Sequence, residues 1–152
     1  MSAHVLCLGL NYRSAPLDIR EKLYFPKRVL GRQIMCLGAH TECGIILSTC
    51  NRSEIYTVTD SLSRSEQAIS EFLAAYSSLD PSYFSQHMYQ YRDRKAVRHL
   101  LRVTAGLDSM ILGESQIQGQ VRDALTAASA VVTQGVPLSR LFHHALRTGR
   151  RV

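Results

Sequence analysis

The chain has 152 residues, 45% of them hydrophobic and 20% charged, which is an ordinary globular composition and predicts one well-buried domain. Its start lacks a basic segment, and the apolar run at residues 5–10 is too short for a signal peptide or a membrane span, so we expect a cytoplasmic protein. Four cysteines, at positions 7, 36, 43 and 50, form no CxxC pair, so we expect no metal site.

The net charge of +6 comes mostly from arginine. Of 18 basic residues, only Lys22, Lys27 and Lys95 are lysines. The planar guanidinium fork suits phosphate better than an ammonium group does, which favours a polyanionic partner such as RNA. A solvated surface rich in arginine explains the same numbers, so composition leaves both interpretations open.

Strands and helices alternate through the first part of the chain. Apolar runs and alternating patterns predict strands at 4–8, 45–49, 54–59 and 86–91. Helices are predicted after Pro16, after Pro26 and at 65–75. This interleaving indicates an α/β or α+β sandwich.

The second part is predicted to be helical, with helices at 94–105, from about 115 to 134, and from Pro137 onward. An irregular loop is predicted between the first two, at 104–115. On the first helix the apolar stripe consists of Val97, Leu100, Leu101 and Thr104. His99 lies roughly 150° from the middle of that stripe, so we predict that it does not face the core buried by this helix.

A basic face lies beside that stripe. Lys95, Arg98 and Arg102 share one side of the predicted helix, and Arg92 and Arg94 precede it. The face is either solvated or in contact with phosphate.

Cys50 lies one residue beyond the predicted strand at 45–49, between Thr49 and Asn51, with Arg52 close by. A strand end fixes the backbone while a loop leaves the sulfur open, and a nearby cation stabilises a thiolate. The pattern therefore predicts a nucleophilic cysteine. The alternative is a structural cysteine that caps the strand.

Three segments resemble the N-terminal catalytic domain of the glutamyl-tRNA reductase family. They are GLNYRSAPLDIRE at 9–21, STCNRSE at 48–54 and HLLRVTAGLDSMILGESQI at 99–117. The chain departs from the family pattern at three positions: Tyr12 stands for a usual histidine, Ser53 for threonine and Ser115 for proline.

The resemblance implies an α+β fold with a ferredoxin-like sheet, helices on one face and a helical C-terminal segment. It also implies that residues 1–152 are one catalytic domain, with about 137–152 starting a helix toward an absent NADPH domain. In such a protein the Cys50 thiolate attacks glutamyl-tRNA, and NADPH reduces the resulting thioester to glutamate-1-semialdehyde in tetrapyrrole biosynthesis.

The resemblance further assigns roles to single residues. It implies that His99 has an acid–base role near the thiol. The implied glutamate-binding residues are Thr49, Asn51, Arg52, Ser53, Ser109, Glu114, Gln116 and Gln120. Implied partners are glutamyl-tRNA, a second copy bound through an absent domain, and glutamate-1-semialdehyde aminotransferase.

The glycines of the chain give no dinucleotide fingerprint, because Gly106, Gly113 and Gly119 are too far apart for GxGxxG. NADPH is therefore expected to bind outside this chain. Two other classes stay open, namely a thiol hydrolase that uses Cys50 with His99, and a non-catalytic RNA-binding or assembly module.

Overall fold

A computed structural model describes residues 3–41, 43–111, 116–131 and 136–149. Strands and helices alternate first, in the order β1 (His4–Asn11), α1 (Leu17–Lys22), α2 (Lys27–Gly38), β2 (Ile45–Thr49), β3 (Arg52–Thr59), α3 (Leu62–Ser77) and β4 (Tyr89–Arg92). Helices α4 (Arg94–Thr104), α5 (Gln116–Val131) and α6 (Val136–Gly149) follow. In these described ranges, no helix combines the length and apolarity that a membrane span requires.

The strands form one antiparallel sheet in the order β2-β3-β1-β4. Helices α1 and α2 connect β1 to β2, and α3 connects β3 to β4. This is the split βαβ arrangement of the ferredoxin-like fold. The predicted α+β class, with a ferredoxin-like sheet and a helical C-terminal segment, is confirmed.

One face of the sheet packs on the helices of the ferredoxin-like unit. Leu8 and Leu10 of β1 and Ile55 of β3 lie together against Phe25 and Leu73. Because side chains alternate along a strand, this set of residues occupies a single face. It forms the apolar half of the core.

The opposite face mixes apolar and polar side chains beneath the C-terminal helices. Tyr56 of β3 meets Phe142 of α6 edge to face, with ring centroids 5.3 Å apart. Cys7 and Glu54 lie on this face as well, and both are fully buried. The helices after β4 therefore cover charged groups as well as apolar ones.

Two strands begin at residues other than those predicted from the sequence. The strand predicted at 86–91 begins only at Tyr89, because two 3-10 turns, Pro81–Tyr83 and Ser85–His87, hold Phe84 in the core. The strand predicted at 54–59 begins earlier, because Arg52 already pairs with Thr49 across the hairpin.

Gly9 leaves a gap in the middle of the sheet face that contains Cys7 and Glu54, which we call the polar face. It pairs with Glu54 on one side and with Tyr89 on the other. A Cβ atom at this position would lie 2.7 Å from Cγ of Glu54, closer than atoms can pack. The missing side chain lets the Tyr89 hydroxyl reach across β1 to Glu54.

Candidate active site

Cys50 lies in the two-residue turn that joins β2 to β3. Thr49 and Arg52 form the last pair of the hairpin, and the Cys50 side chain is exposed. Neither Cys50 nor Asn51 has a positive φ, so the turn is not of the primed type that is common in short hairpins. The structure therefore presents the sulfur at a strand end, as the sequence predicted.

Three contacts hold the backbone of this turn. The Thr49 hydroxyl accepts from the Asn51 amide at 3.0 Å, and the Asn51 carbonyl accepts from the Tyr12 amide at 2.9 Å. Nη1 of Arg20 donates to the Cys50 carbonyl at 3.3 Å. The turn is thus tied to the chain that follows β1 and to α1, which fixes the backbone that carries Cys50. Tyr12 takes part through its backbone.

Arg52 is buried, with 3% of its surface exposed, and its guanidinium joins two carboxylates. Nη1 donates to Oε2 of Glu54 at 3.2 Å, and Nη2 donates to Oδ2 of Asp108 at 2.9 Å and to its carbonyl at 2.6 Å. Burial is the largest single influence on the pKa of Arg52 and lowers it. The charge of Glu54, with Tyr89 and Asp108 in addition, raises the pKa by more than burial lowers it, so the net pKa is raised. Arg52 therefore stays charged and fixed.

Asp108 reaches Arg52 because of how α4 ends. Gly106 has a φ of 80°, and the amides of Gly106 and Leu107 donate back to the carbonyls of Val103 and Arg102. This is a Schellman motif, in which glycine takes the left-handed position after the helix. The reversal brings Asp108 to Arg52 at the start of β3.

Glu54 receives four hydrogen bonds from described residues. Oε2 accepts from Arg52, Tyr89 and His99, and Oε1 accepts from the Tyr56 hydroxyl at 2.9 Å. Burial raises the pKa of the Glu54 carboxyl, but the hydrogen bond and charge of His99, together with Arg52 and Tyr89, lower it to about 2. The buried group is therefore an ionised carboxylate. We call Glu54 with these four donors the Glu54 cluster.

The prediction that His99 does not face the core is wrong. Only 7% of His99 is exposed, and its ring stacks on Tyr91 of β4 at a centroid distance of 4.4 Å. The buried face of α4 consists of Ala96, His99, Leu100, Val103 and Thr104. This face of α4 packs on the sheet, where the imidazole of His99 is hydrogen-bonded to Glu54. Among the described residues, no hydrogen bond joins His99 to Cys50.

The other predicted site residues fall into separate places. Ser53 faces the opposite side of the sheet, where its hydroxyl donates to the Leu23 carbonyl at 2.7 Å. Ser109 follows Asp108 and is half-buried. At the start of α5, Gln116 is exposed and Gln120 is half-buried. Glu114 lies outside the described residues.

The sequence interpretation assigned no role to Glu54, Asp108, Tyr56 or Tyr89. Glu54 could have been found, because it lies two residues after Arg52 on a predicted strand and must share its face. Asp108 lies in an irregular loop, where spacing carries no such signal.

Cys7, Glu54 and His99 place potential metal ligands within 4.8 Å of one another. The four donors to Glu54 already use about all the acceptor positions of a carboxylate. A metal ion at this point would have to displace at least one of them. Of the three glycines considered for a dinucleotide fingerprint, Gly106 ends α4 and Gly119 lies inside α5, whereas Gly113 lies outside the described residues.

A basic cleft of about 260 Å³ opens beside His99. Its lining residues are Tyr91, Lys95, Arg98, His99, Arg102 and Asp108. The side chains of Lys95, Arg98 and Arg102 are exposed and, within the described residues, form no ion pair. The cleft can therefore offer three unpaired cations to an anionic group.

The fold and the site together define a ferredoxin-like domain with an exposed cysteine turn next to a buried, charge-balanced cluster. A family model described as the N-terminal domain of glutamyl-tRNAGlu reductase matches residues 8–152. The chain therefore belongs to the glutamyl-tRNA reductase family and corresponds to its N-terminal domain, as its motifs predicted.

Relatives and a solved structure agree with this assignment. The chain is 42% identical over 148 residues to a glutamyl-tRNA reductase of Roseiflexus castenholzii, covering 97% of this chain and 35% of the relative. It is 43% identical over 150 residues to one of Alkalilimnicola ehrlichii, covering 97% and 33%. The structure of glutamyl-tRNA reductase from Methanopyrus kandleri superposes with a TM-score of 0.75 at 26% identity, covering 97% of this chain and 33% of that one. The chain thus spans about a third of the length of these relatives.

Proposed function

We propose that this chain is the catalytic domain of a glutamyl-tRNA reductase, in which Cys50 takes the glutamyl group from glutamyl-tRNA as a thioester. The observation that carries the proposal is the exposed Cys50 sulfur, on a turn whose backbone is tied down at three points. A nucleophile on a fixed turn meets an acyl group at low entropic cost. We further propose that the reaction takes place in the cytoplasm.

In the first step the Cys50 thiolate attacks the ester carbonyl carbon. A carbon–sulfur bond forms, the carbon–oxygen bond to the terminal ribose breaks, and the ribose oxygen leaves with a proton. NADPH supplies the hydride that converts the thioester to glutamate-1-semialdehyde, on the path to 5-aminolevulinate and tetrapyrroles. We assign its site to the part of the relatives that this chain does not span.

We propose that Arg52 binds the carboxylate of the glutamyl group, with Thr49 and Asn51 on the turn beside it. Asp108 accepts hydrogen bonds from the same guanidinium through its carboxylate and its carbonyl. When a substrate carboxylate binds, Asp108 must therefore move away or share the N–H donors of Arg52 with it. Ser109, Glu114, Gln116 and Gln120 remain proposed pocket residues. Ser53 is proposed to act through the position of the turn, because its hydroxyl faces the other side of the sheet.

The basic cleft supports the assignment of tRNA as the anionic partner. Phosphate binding by Lys95, Arg98 and Arg102 would bring the end of the tRNA next to His99. A second copy of the enzyme and glutamate-1-semialdehyde aminotransferase are proposed partners of regions outside this chain.

The test replaces each exposed cysteine in turn. We expect Cys50→Ser to abolish uptake of labelled glutamate from glutamyl-tRNA, because a serine hydroxyl is a far weaker nucleophile than a thiolate. Cys36→Ser is the matched control, since Cys36 is also exposed but lies on α2. The measurement is protein-bound label after acid quench. Full labelling of the Cys50→Ser protein would reject the proposal.

The same experiment separates the two alternatives. A non-catalytic RNA-binding module takes up no label in any variant but still binds tRNA. A plain thiol hydrolase cleaves simple glutamyl esters without tRNA and needs Cys50 and His99 as a pair. Among the described residues no hydrogen bond joins His99 to Cys50, which weighs against that pair.

A further inference from the structure

The hydrogen bond between Glu54 and His99 fixes which nitrogen of the imidazole carries a proton. Nε2 of His99 contacts Oε2 of Glu54, and the same oxygen accepts from Nη1 of Arg52. A guanidinium can only donate, and the Tyr89 hydroxyl donates to this oxygen too. An oxygen that accepts from these groups is not itself protonated, so Nε2 must be the donor.

The other ring nitrogen of His99, Nδ1, makes no hydrogen bond to any residue that the structure describes, although more than nine-tenths of His99 is buried. The ring stacks on Tyr91 and meets Tyr89 edge to face at 5.5 Å. His99 also lines the basic cleft. A buried polar atom without a partner, beside an open cleft, points to a ligand atom that completes it.

We propose that Glu54 is a positioning residue that holds His99 in the Nε2–H form, so that Nδ1 is the nitrogen that exchanges a proton with the substrate. This rests on the proposed function, because the exchange serves the reaction at Cys50. The ribose oxygen that leaves the ester takes a proton from Nδ1 of the imidazolium. The neutral Nε2–H ring then remains hydrogen-bonded to Glu54, and the charge cluster on the sheet stays intact.

The orientation of the ring follows from the rest of the Glu54 cluster. Arg52, Tyr56 and Tyr89 hold the carboxylate from β3 and β4, so it cannot follow the ring. The imidazole must therefore align with the carboxylate, and Tyr91 limits its rotation from one side. This is how a fixed partner selects one tautomer of histidine.

The direct test is ¹⁵N NMR of the chain with labelled histidine, in which His99 is assigned from the signal that disappears in His99→Asn. In the neutral ring we expect the proton on Nε2 and an unprotonated Nδ1. The protonation state is read on the unmodified chain, and the His99→Asn variant serves only to assign the signal. A neutral ring protonated on Nδ1 overturns the proposal.

The kinetic test uses Glu54→Gln, which keeps the shape of the side chain and removes its charge. We expect the rate of thioester formation to fall about 10²-fold, within the range for general acid–base catalysis, while the KM for glutamyl-tRNA changes little. Glu66→Gln is the matched control, because Glu66 is a partly exposed glutamate that pairs with Arg92. It should leave the rate unchanged.

A double variant distinguishes positioning from a general structural effect. If Glu54 acts through His99, adding Glu54→Gln to His99→Asn should cost less than about threefold more, since groups that act as a unit are not additive. Losses that multiply in full overturn the proposal. The Nε2–H signal does not depend on Cys50, so a thioester that fails to form would reject the proposed function alone.

Discussion

Four donors converge on the buried carboxylate of Glu54, and this residue links acid stability to the active site. Its pKa is lowered from an ordinary 4.5 to about 2 by His99, Arg52 and Tyr89 acting against burial. A carboxyl whose folded pKa is depressed contributes stability that is complete above its unfolded pKa and is lost as pH falls through its folded pKa. The window for Glu54 therefore runs from about pH 4.5 down to about pH 2.

We expect this contribution to be on the order of 3 kcal/mol when fully present. The measurement is urea unfolding of wild type and Glu54→Gln at about pH 5.5 and about pH 3. Wild type should lose more stability between the two values than the variant, which has no carboxyl to protonate. Glu66→Gln should keep the wild-type loss. Parallel pH profiles for wild type and Glu54→Gln would contradict the expectation.

Helix α4 is the element that carries His99 to the sheet, and its start is anchored at Asp93. The Asp93 carboxylate accepts from the Val5 amide at 3.1 Å and from the His4 imidazole, while its own amide donates to the Val5 carbonyl. The residue has φ 51° and ψ −119°, a conformation that favours glycine. The side chain thus offsets a strained backbone.

We expect Asp93→Gly to be more stable than Asp93→Ala by about 1 kcal/mol, because both remove the side-chain hydrogen bonds but only alanine keeps the strain. Urea midpoints at constant m-value measure the difference. Asp93→Asn should lie above both, since an amide oxygen can still accept from Val5. An alanine variant as stable as the glycine variant would show that the backbone is unstrained.

At this scale, the bounds of α4 could be predicted, but its buried face could not, unlike that of a helix that follows one hydrophobic period. Ile117, Val121 and Leu125 recur every four residues on α5, and this face of the helix is buried. Helix α4 packs on a sheet face that contains Glu54, so its buried side includes a histidine. Apolar periodicity finds only the surface that meets apolar neighbours.

The candidate site likewise has one part that the sequence could predict and one part that it could not. The Cys50 turn could be predicted, because a strand end and a short motif mark it locally. The partners of Arg52 are Glu54 and Asp108, and Asp108 arrives only through the left-handed turn at Gly106. Arg52 and Asp108 are 56 residues apart in the sequence, so their contact depends on the tertiary fold, which local patterns do not specify.

On the scale of the whole molecule, charge is concentrated around the basic cleft. We expect replacement of Arg98 and Arg102 by glutamine to weaken tRNA binding and to make the log–log salt dependence shallower, by about 0.7 for each single-strand phosphate that is no longer neutralised. Binding titrations at several salt concentrations give the slope. Arg28→Gln with Arg32→Gln on α2 changes the net charge equally and is the control. If both pairs leave the slope unchanged, the cleft is not part of the tRNA site.

The chain as a whole is expected to perform only the first half of the proposed reaction. Without a hydride donor, the thioester on Cys50 can be attacked by water, so labelled glutamate should be released from glutamyl-tRNA faster than it is spontaneously. No glutamate-1-semialdehyde should form at any NADPH concentration. Semialdehyde made by this chain alone would contradict the assignment of NADPH to another region. Release that is unchanged in Cys50→Ser would show that hydrolysis bypasses the thioester.

Cys7 gives the molecule an internal reporter of its own motion. This thiol lies on β1 under the C-terminal helices, fully buried, and burial followed by the charge of Glu54 raises its pKa. A sulfur in that position reacts with an alkylating reagent only when the helices lift off the sheet, whereas Cys36 and Cys50 are open at all times. The rate at which Cys7 is modified therefore measures how often the polar face opens, in the same sample in which Cys50 reports the reactivity of the turn.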